Sequence, residues 1–262
     1  PARTKRRQAA KSGADNLIVR VFAGSPLVMI AVAAAFGGLS PFCSCGVIPL
    51  IAALLSMGVP LSGVMAFWLA SPVIDPSMFV LTSGLLGFEF ALAKTFAAVG
   101  LGLFGGYATH ALMRIGFLGE PLRPGVGERR ARFARAAGSA TLFLVKWLSL
   151  AFLLESLMLA YVPQEWIALA LGGSGLVPIV TATLVGVPAY LNGYAALPLV
   201  SGLIEQGMAS GAGLAFLVAG GVTSLPAAIA VFALVRPPVF ALYIVLALAG
   251  SLASGFLYQA WL

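Results

Sequence analysis

Long, unbroken apolar runs dominate this chain, at about 62–83, 90–113, 139–161, 212–235 and 238–260. A helix needs roughly 20 apolar residues to cross the hydrocarbon core of a bilayer, and each run reaches that length. Only helices and closed barrels satisfy all their backbone groups in lipid. A barrel would alternate apolar and polar residues in segments of about ten, and these runs do not alternate. With 61% hydrophobic residues, 9% charged residues and a mean hydropathy of +1.05, the expected fold class is an all-α polytopic membrane protein.

The net charge of +7 is a matter of topology rather than of a nucleic-acid partner, which is excluded. Arg3, Lys5, Arg6, Arg7, Lys11 and Arg20 form one cluster; Arg114, Arg123, Arg129, Arg130, Arg132 and Arg135 form a second, with Lys146 behind it. Basic clusters mark cytoplasmic loops, and they also attract anionic headgroups. The basic N-terminal segment and the 115–137 loop are therefore expected on the cytoplasmic side of a multi-pass inner-membrane protein. Lys146 snorkels to the inner interface. Lys94 and Glu89 read as anchors at an outer helix end, and His110 has no assigned role.

Between the long runs lie shorter apolar pieces, and their order repeats. An amphipathic or short entry helix at about 16–24 is followed by segments at 26–38 and 47–57; segments at 175–187 and 194–206 return later. Gly24-Ser25 matches Gly173-Ser174, Pro49-Leu50 matches Pro198-Leu199, Ala66-Phe67 matches Ala215-Phe216, and Gly106 matches Gly255, all at one ungapped offset of 149 residues. The organisation expected is a first repeat over 1–114, a basic cytoplasmic loop over 115–137 and a second repeat over 138–262. An odd number of crossings separates the repeats whether the short segments are hairpins or full crossings, so the second is inverted relative to the first. Inverted repeats with interrupted helices place a solute site at the interruptions, near the bilayer midplane. The helix 139–161 has no counterpart in the first repeat; a further helix ahead of the basic opening segment, which lacks an initiating Met, would supply one.

Four interruptions carry the chemistry. They are Pro41-Phe42-Cys43-Ser44-Cys45-Gly46, Ser71-Pro72-Val73-Ile74-Asp75-Pro76-Ser77, Pro188-Ala189-Tyr190-Leu191-Asn192-Gly193-Tyr194 and Gly220-Gly221-Val222-Thr223-Ser224-Leu225-Pro226. Proline removes a helical hydrogen bond and frees a carbonyl, which in a membrane must face protein or a water-filled cavity. Cys43 and Cys45, the two cysteines of the chain, bring soft sulfur there, suited to thiophilic species such as Cu(I), Zn or trivalent arsenic. Asp75 sits between two prolines inside an apolar run, where an ionisable residue is costly and generally functional; it is the candidate for a coupling proton or a bound cation, with Glu155 a second member of a proton path. Ser44, Tyr190, Asn192, Tyr194, Thr223 and Ser224 are candidate lining residues. Asn192 is equally suited to capping a helix that starts near Gly193, and Thr223 and Ser224 to satisfying freed carbonyls. A single His and a single Cys pair make no structural zinc site, and no nucleotide-binding or hydrolase motif is present. No cofactor, resident metal or catalytic residue is assigned, and the chain is not expected to be an enzyme.

The runs Phe42-Cys43-Ser44-Cys45-Gly46-Val47-Ile48-Pro49-Leu50, Ser71-Pro72-Val73-Ile74-Asp75-Pro76 and Gly186-Val187-Pro188-Ala189-Tyr190-Leu191-Asn192-Gly193 resemble the ArsP/YraQ-type predicted permeases of bacteria and archaea. The resemblance covers nearly the whole chain. It implies an inner-membrane permease, in a family some of whose members export trivalent organoarsenicals through cysteine thiols and many of whose substrates are unknown. Cys43 and Cys45 match the family's cysteine motif, and no third cysteine is present to complete a trithiolate arsenic site. The function expected is a secondary-type efflux permease for a small thiophilic solute: an organoarsenical, a soft metal species or a small sulfur compound. A membrane thiol redox protein and a channel are the rivals, and a homo-oligomer or a soluble partner is left open.

Overall fold

The computed structural model describes residues 25–40, 44–56, 59–116, 177–189, 193–223 and 234–262, together with 149, 153, 228, 231 and 232. The described residues are helical and contain no strand ladder, an all-α architecture. The helices are α1 (Pro26–Leu39), α2 (Ser44–Ser56), α3 (Leu61–Ala70), α4 (Pro76–Leu86), α5 (Phe88–Arg114), α6 (Val177–Ala189), α7 (Gly193–Glu205), α8 (Ser210–Val222) and α9 (Pro237–Trp261).

Local chemistry sets several of these bounds. Ser25 caps α1 by accepting the Val28 N–H at 3.4 Å, and Pro26 follows in the first turn, where its missing N–H costs nothing. Asp75 does the same for α4, accepting from Met78 N at 2.8 Å ahead of Pro76. The run expected as one full helix over 62–83 is therefore two, α3 and α4, separated by Ser71–Asp75. Pro72 and Pro76 withhold two N–H groups, and the Asp75-Pro76 pair begins a new helix. The run 212–235 is interrupted too, because α8 ends at Val222 and Thr223 leaves helical geometry with φ −104° and ψ 25°.

Helix starts recur at the offset seen in the sequence. α2 and α7 begin at 44 and 193, α3 and α8 at 61 and 210, α5 and α9 at 88 and 237, each pair 149 residues apart. Packing recurs with them: α1, α3 and α5 touch one another, as do α6, α8 and α9, while α2 rests on α3 and α7 on α8. The close contacts match atom for atom. A Cβ on Gly106 of α5 would lie 2.5 Å from Ile30 Cγ2 and 2.8 Å from Ala66 Cβ; one on Gly255 of α9 would lie 2.8 Å from Ile179 Cγ2 and 2.8 Å from Ala215 Cβ. Likewise Gly37 fits against Phe67 O and Ala70, and Gly186 against Phe216 O and Ala219. Lipid tails are as apolar as side chains, so helices in a bilayer associate by such close contact of small residues.

α5 and α9, of 27 and 25 residues, are long and apolar enough to cross a bilayer. Both leave large apolar side chains outward, among them Phe96, Phe104, Val245 and Leu257. The short α3 and α8 are the opposite: nearly every residue in each is buried. At 1.5 Å per residue the 10 residues of α3 extend only about 15 Å, half a bilayer core. A helix that ends at mid-depth exposes carbonyls, and here protein encloses it. The two sets join through α5 against α9, and through α4 against α7; one apolar core runs through both.

Candidate functional site

The site is built where α3 stops. Ser71 is the C-cap, its N–H donating to Phe67 O at 3.0 Å, and Val73 N reaches Ala70 O at 3.4 Å. Ser71, Val73 and Ile74 are buried, Pro72 and Asp75 half-buried. The break of the second set lies directly against it. A Cβ on Gly221, in the last turn of α8, would sit 3.0 Å from Pro72 O. Positions 72 and 221 are counterparts at the 149-residue offset, so the paired interruptions meet at matching residues.

Asp75 closes the first break and has two sets of partners. Its Oδ1 accepts from Met78 N, and the Tyr194 hydroxyl donates to Oδ2 at 3.2 Å and to Oδ1 at 3.4 Å. Tyr194 stands in the first turn of α7, so this contact joins residues 119 apart in the chain. A second polar contact, Ser201 Oγ to Leu85 O at 3.3 Å, holds the same two helices together further along. The structure thus brings Asp75 and Tyr194 together. Thr223 is buried at the end of α8, with its hydroxyl donating to Ala219 O at 2.8 Å. Ser44 and Cys45 lie in the first turn of α2, which packs on α3. Cys43, Glu155, Tyr190, Asn192 and Ser224 lie outside the described residues, as do the 16–24 and 115–137 segments apart from the 115–116 turn.

One residue belongs to this region that sequence reasoning put elsewhere. Lys94, expected as an interface anchor, is fully buried in α5. Its Nζ has no hydrogen-bond partner among the described residues, and neither has the buried Ser71 Oγ. α4, which Asp75 caps, packs against α5. Lys94 is the seventh residue of a 27-residue helix, about 9 Å from its start, and packing of α3, α4 and α9 around α5 closes off the interface that it would reach by snorkelling. Its counterpart at the 149-residue offset is Tyr243 of α9. Tyr243 is buried, stacks on Trp68 with ring centroids 4.7 Å apart, and donates its hydroxyl to Val222 O, a carbonyl freed by the end of α8.

His110 and Arg114, at the far end of α5, line a separate and mostly apolar cavity of about 270 Å³ with Pro26, Met29, Pro60, Ser62 and Met113. Sixteen residues separate His110 from Lys94, so the cavity is about 24 Å along the helix from the break.

Comparison with known proteins agrees with this architecture. Over 89 residues the chain is 35% identical to the UPF0718 protein YcgR of Bacillus subtilis (strain 168), a match covering 34% of this chain and 30% of that protein. The chain thus matches less than a third of the relative's length. No solved structure matches. A family model described as a predicted permease, ArsP_1, matches residues 14–260. Two long apolar spans, short buried helices ending in paired interruptions and a family match over almost the full chain lead to one conclusion: the protein is a helical membrane protein of the ArsP_1 predicted-permease family.

Proposed function

We propose that this permease is a secondary-type exporter of a small thiophilic solute, an organoarsenical, a soft metal species or a small sulfur compound, that alternates access around a fixed site at the paired breaks. The observation that carries the reading is the meeting of the two interruptions at Pro72 and Gly221, enclosed by short helices. In a bilayer, interrupted backbone is tolerated where it lines a cavity, and transporters place solutes at such points. The two sets of helices are inverted repeats. The basic N-terminal segment and the 115–137 loop face the cytoplasm, in the inner membrane. Cys43 and Cys45 take the soft atom of the solute, and Ser44, Asn192 and Tyr190 complete the walls together with Thr223 and Ser224. Asp75 carries the coupling proton, with Tyr194 as its hydrogen-bond donor and Glu155 further along the path.

The test is accumulation of methylarsenite in everted vesicles carrying the full-length protein, beside the Cys43→Ser/Cys45→Ser double variant. Cysteine-dependent accumulation that collapses with the proton gradient supports the reading. Inserted, folded protein that accumulates nothing removes arsenical export. Equal accumulation by the double variant removes the cysteines from the mechanism, and flux indifferent to the gradient makes the protein a channel.

A further inference from the structure

Two buried donors bear on the break after α3, and neither has an acceptor among the described residues: the Lys94 ammonium, with three N–H groups, and the Ser71 hydroxyl. Ser71 opens the break and Asp75 closes it, and Lys94 stands on α5 at the position from which, in the second set, Tyr243 reaches the end of α8. If Lys94 served only to neutralise Asp75, the two would be expected in direct contact, because a buried ion pair recovers its desolvation cost only with good hydrogen-bond geometry. Instead the carboxylate is committed to Met78 N and the Tyr194 hydroxyl, while the ammonium hydrogen-bonds to nothing described. Asp75 does not occupy the donors of Lys94. A buried cation held in that condition is pre-organised for an acceptor that arrives from outside the chain. The contrast with α9 sharpens this: at the counterpart position Tyr243 spends its hydroxyl on the freed Val222 carbonyl and leaves nothing open.

The geometry points to Lys94 and Ser71 as an anion-holding subsite: they take the negatively charged oxygen end of a small solute. This rests on the reading of the breaks as the solute site, and it adds small thiophilic anions to the neutral thiophilic solutes that the site would take.

Thiosulfate, which carries a terminal sulfur and anionic oxygens, is the probe; methylarsenite, thiophilic but neutral, is the control. Binding is read as the shift in thermal midpoint of the full-length protein in nanodiscs, against sodium chloride of equal ionic strength. Transport is read separately in everted vesicles. The wild type is expected to be stabilised by thiosulfate, Lys94→Met to bind it at least tenfold more weakly, Ser71→Ala a few-fold more weakly, and Lys94→Arg to retain most of the affinity. Monodisperse elution of Lys94→Met in size exclusion reports a folded protein. No thiosulfate shift in the wild type, or the same shift in Lys94→Met, overturns the subsite even if methylarsenite is transported. A Lys94-dependent shift with neither probe transported leaves the subsite standing and removes the permease reading of the breaks. Should Lys94→Met fail to insert, Lys94→Arg and Ser71→Ala decide: unchanged thiosulfate affinity in Ser71→Ala together with full loss in Lys94→Arg would mark Lys94 as structural.

Discussion

The break after α3 and the break after α8 stand on the same scaffold and differ in what they leave unsatisfied. Small residues hold both in the same way, with Gly37, Ala66 and Gly106 repeated as Gly186, Ala215 and Gly255. At two charged positions of the first set, however, the sets part. Asp75 has Ser224 at its counterpart position, and Lys94 has Tyr243. In the second set the hydroxyls of Tyr243 and Thr223 close onto backbone carbonyls; in the first, two donors stay open and a carboxylate reaches across to α7. Packing is thus shared between the sets, while the described polar groups at the two breaks differ. A pseudo-symmetric transporter can keep matched geometry for its motion and still bind its solute asymmetrically.

The most severe way to probe this division is at the shared contacts. Gly106→Leu and Gly255→Leu each drive a side chain into a neighbouring helix, and overpacking of this kind costs about 1–3 kcal/mol or more. Both are expected to abolish the monodisperse peak in fluorescence-detected size exclusion, and to do so equally; survival of one alone would break the equivalence. Next in size is Asp75→Asn. Asn caps a helix about as well as Asp, so the melting midpoint should hold while proton-coupled transport falls by at least about tenfold. A parallel loss of stability would make Asp75 a structural cap.

Smaller effects separate the counterparts at 94 and 243. Tyr243→Phe removes a buried hydrogen bond and strands the Val222 carbonyl, at a cost of about 1–3 kcal/mol, visible as a lower melting midpoint with transport retained. Lys94→Met should do the reverse, holding or raising the midpoint, because it deletes a buried, unbonded ammonium. A lower midpoint in Lys94→Met would show that the amine holds the fold. Smallest of all, Tyr194→Phe removes the hydroxyl on a half-exposed Asp75, about 0.5–1.5 kcal/mol, and is expected to slow transport a few-fold without changing the midpoint by more than a degree or two.

Much of this was legible in the sequence, for identifiable reasons. Apolar continuity marks the long helices, and proline-flanked polar residues mark Ser71–Asp75 as an interruption. What apolar continuity hides is that an interruption divides one run into two helices: Asp75-Pro76 is a cap followed by a first-turn proline, a start signal lying inside a hydrophobic stretch. Lys94 was misplaced for a different reason. A lysine near a helix end is normally free to reach the interface, and only the packing of α3, α4 and α9 onto α5 removes that freedom. The pairing of Asp75 with Tyr194 was beyond local reading, since it depends on α4 crossing to α7, 119 residues away.

The matched glycines also have a historical meaning. Gly106 and Gly255 admit the same isoleucine and the same alanine at the same offset, which is what a duplicated ancestral unit leaves behind when its helix contacts are too tight to drift. Two like units on one chain need not stay equal at every position, and here Asp75 and Lys94 stand where the other set has Ser224 and Tyr243.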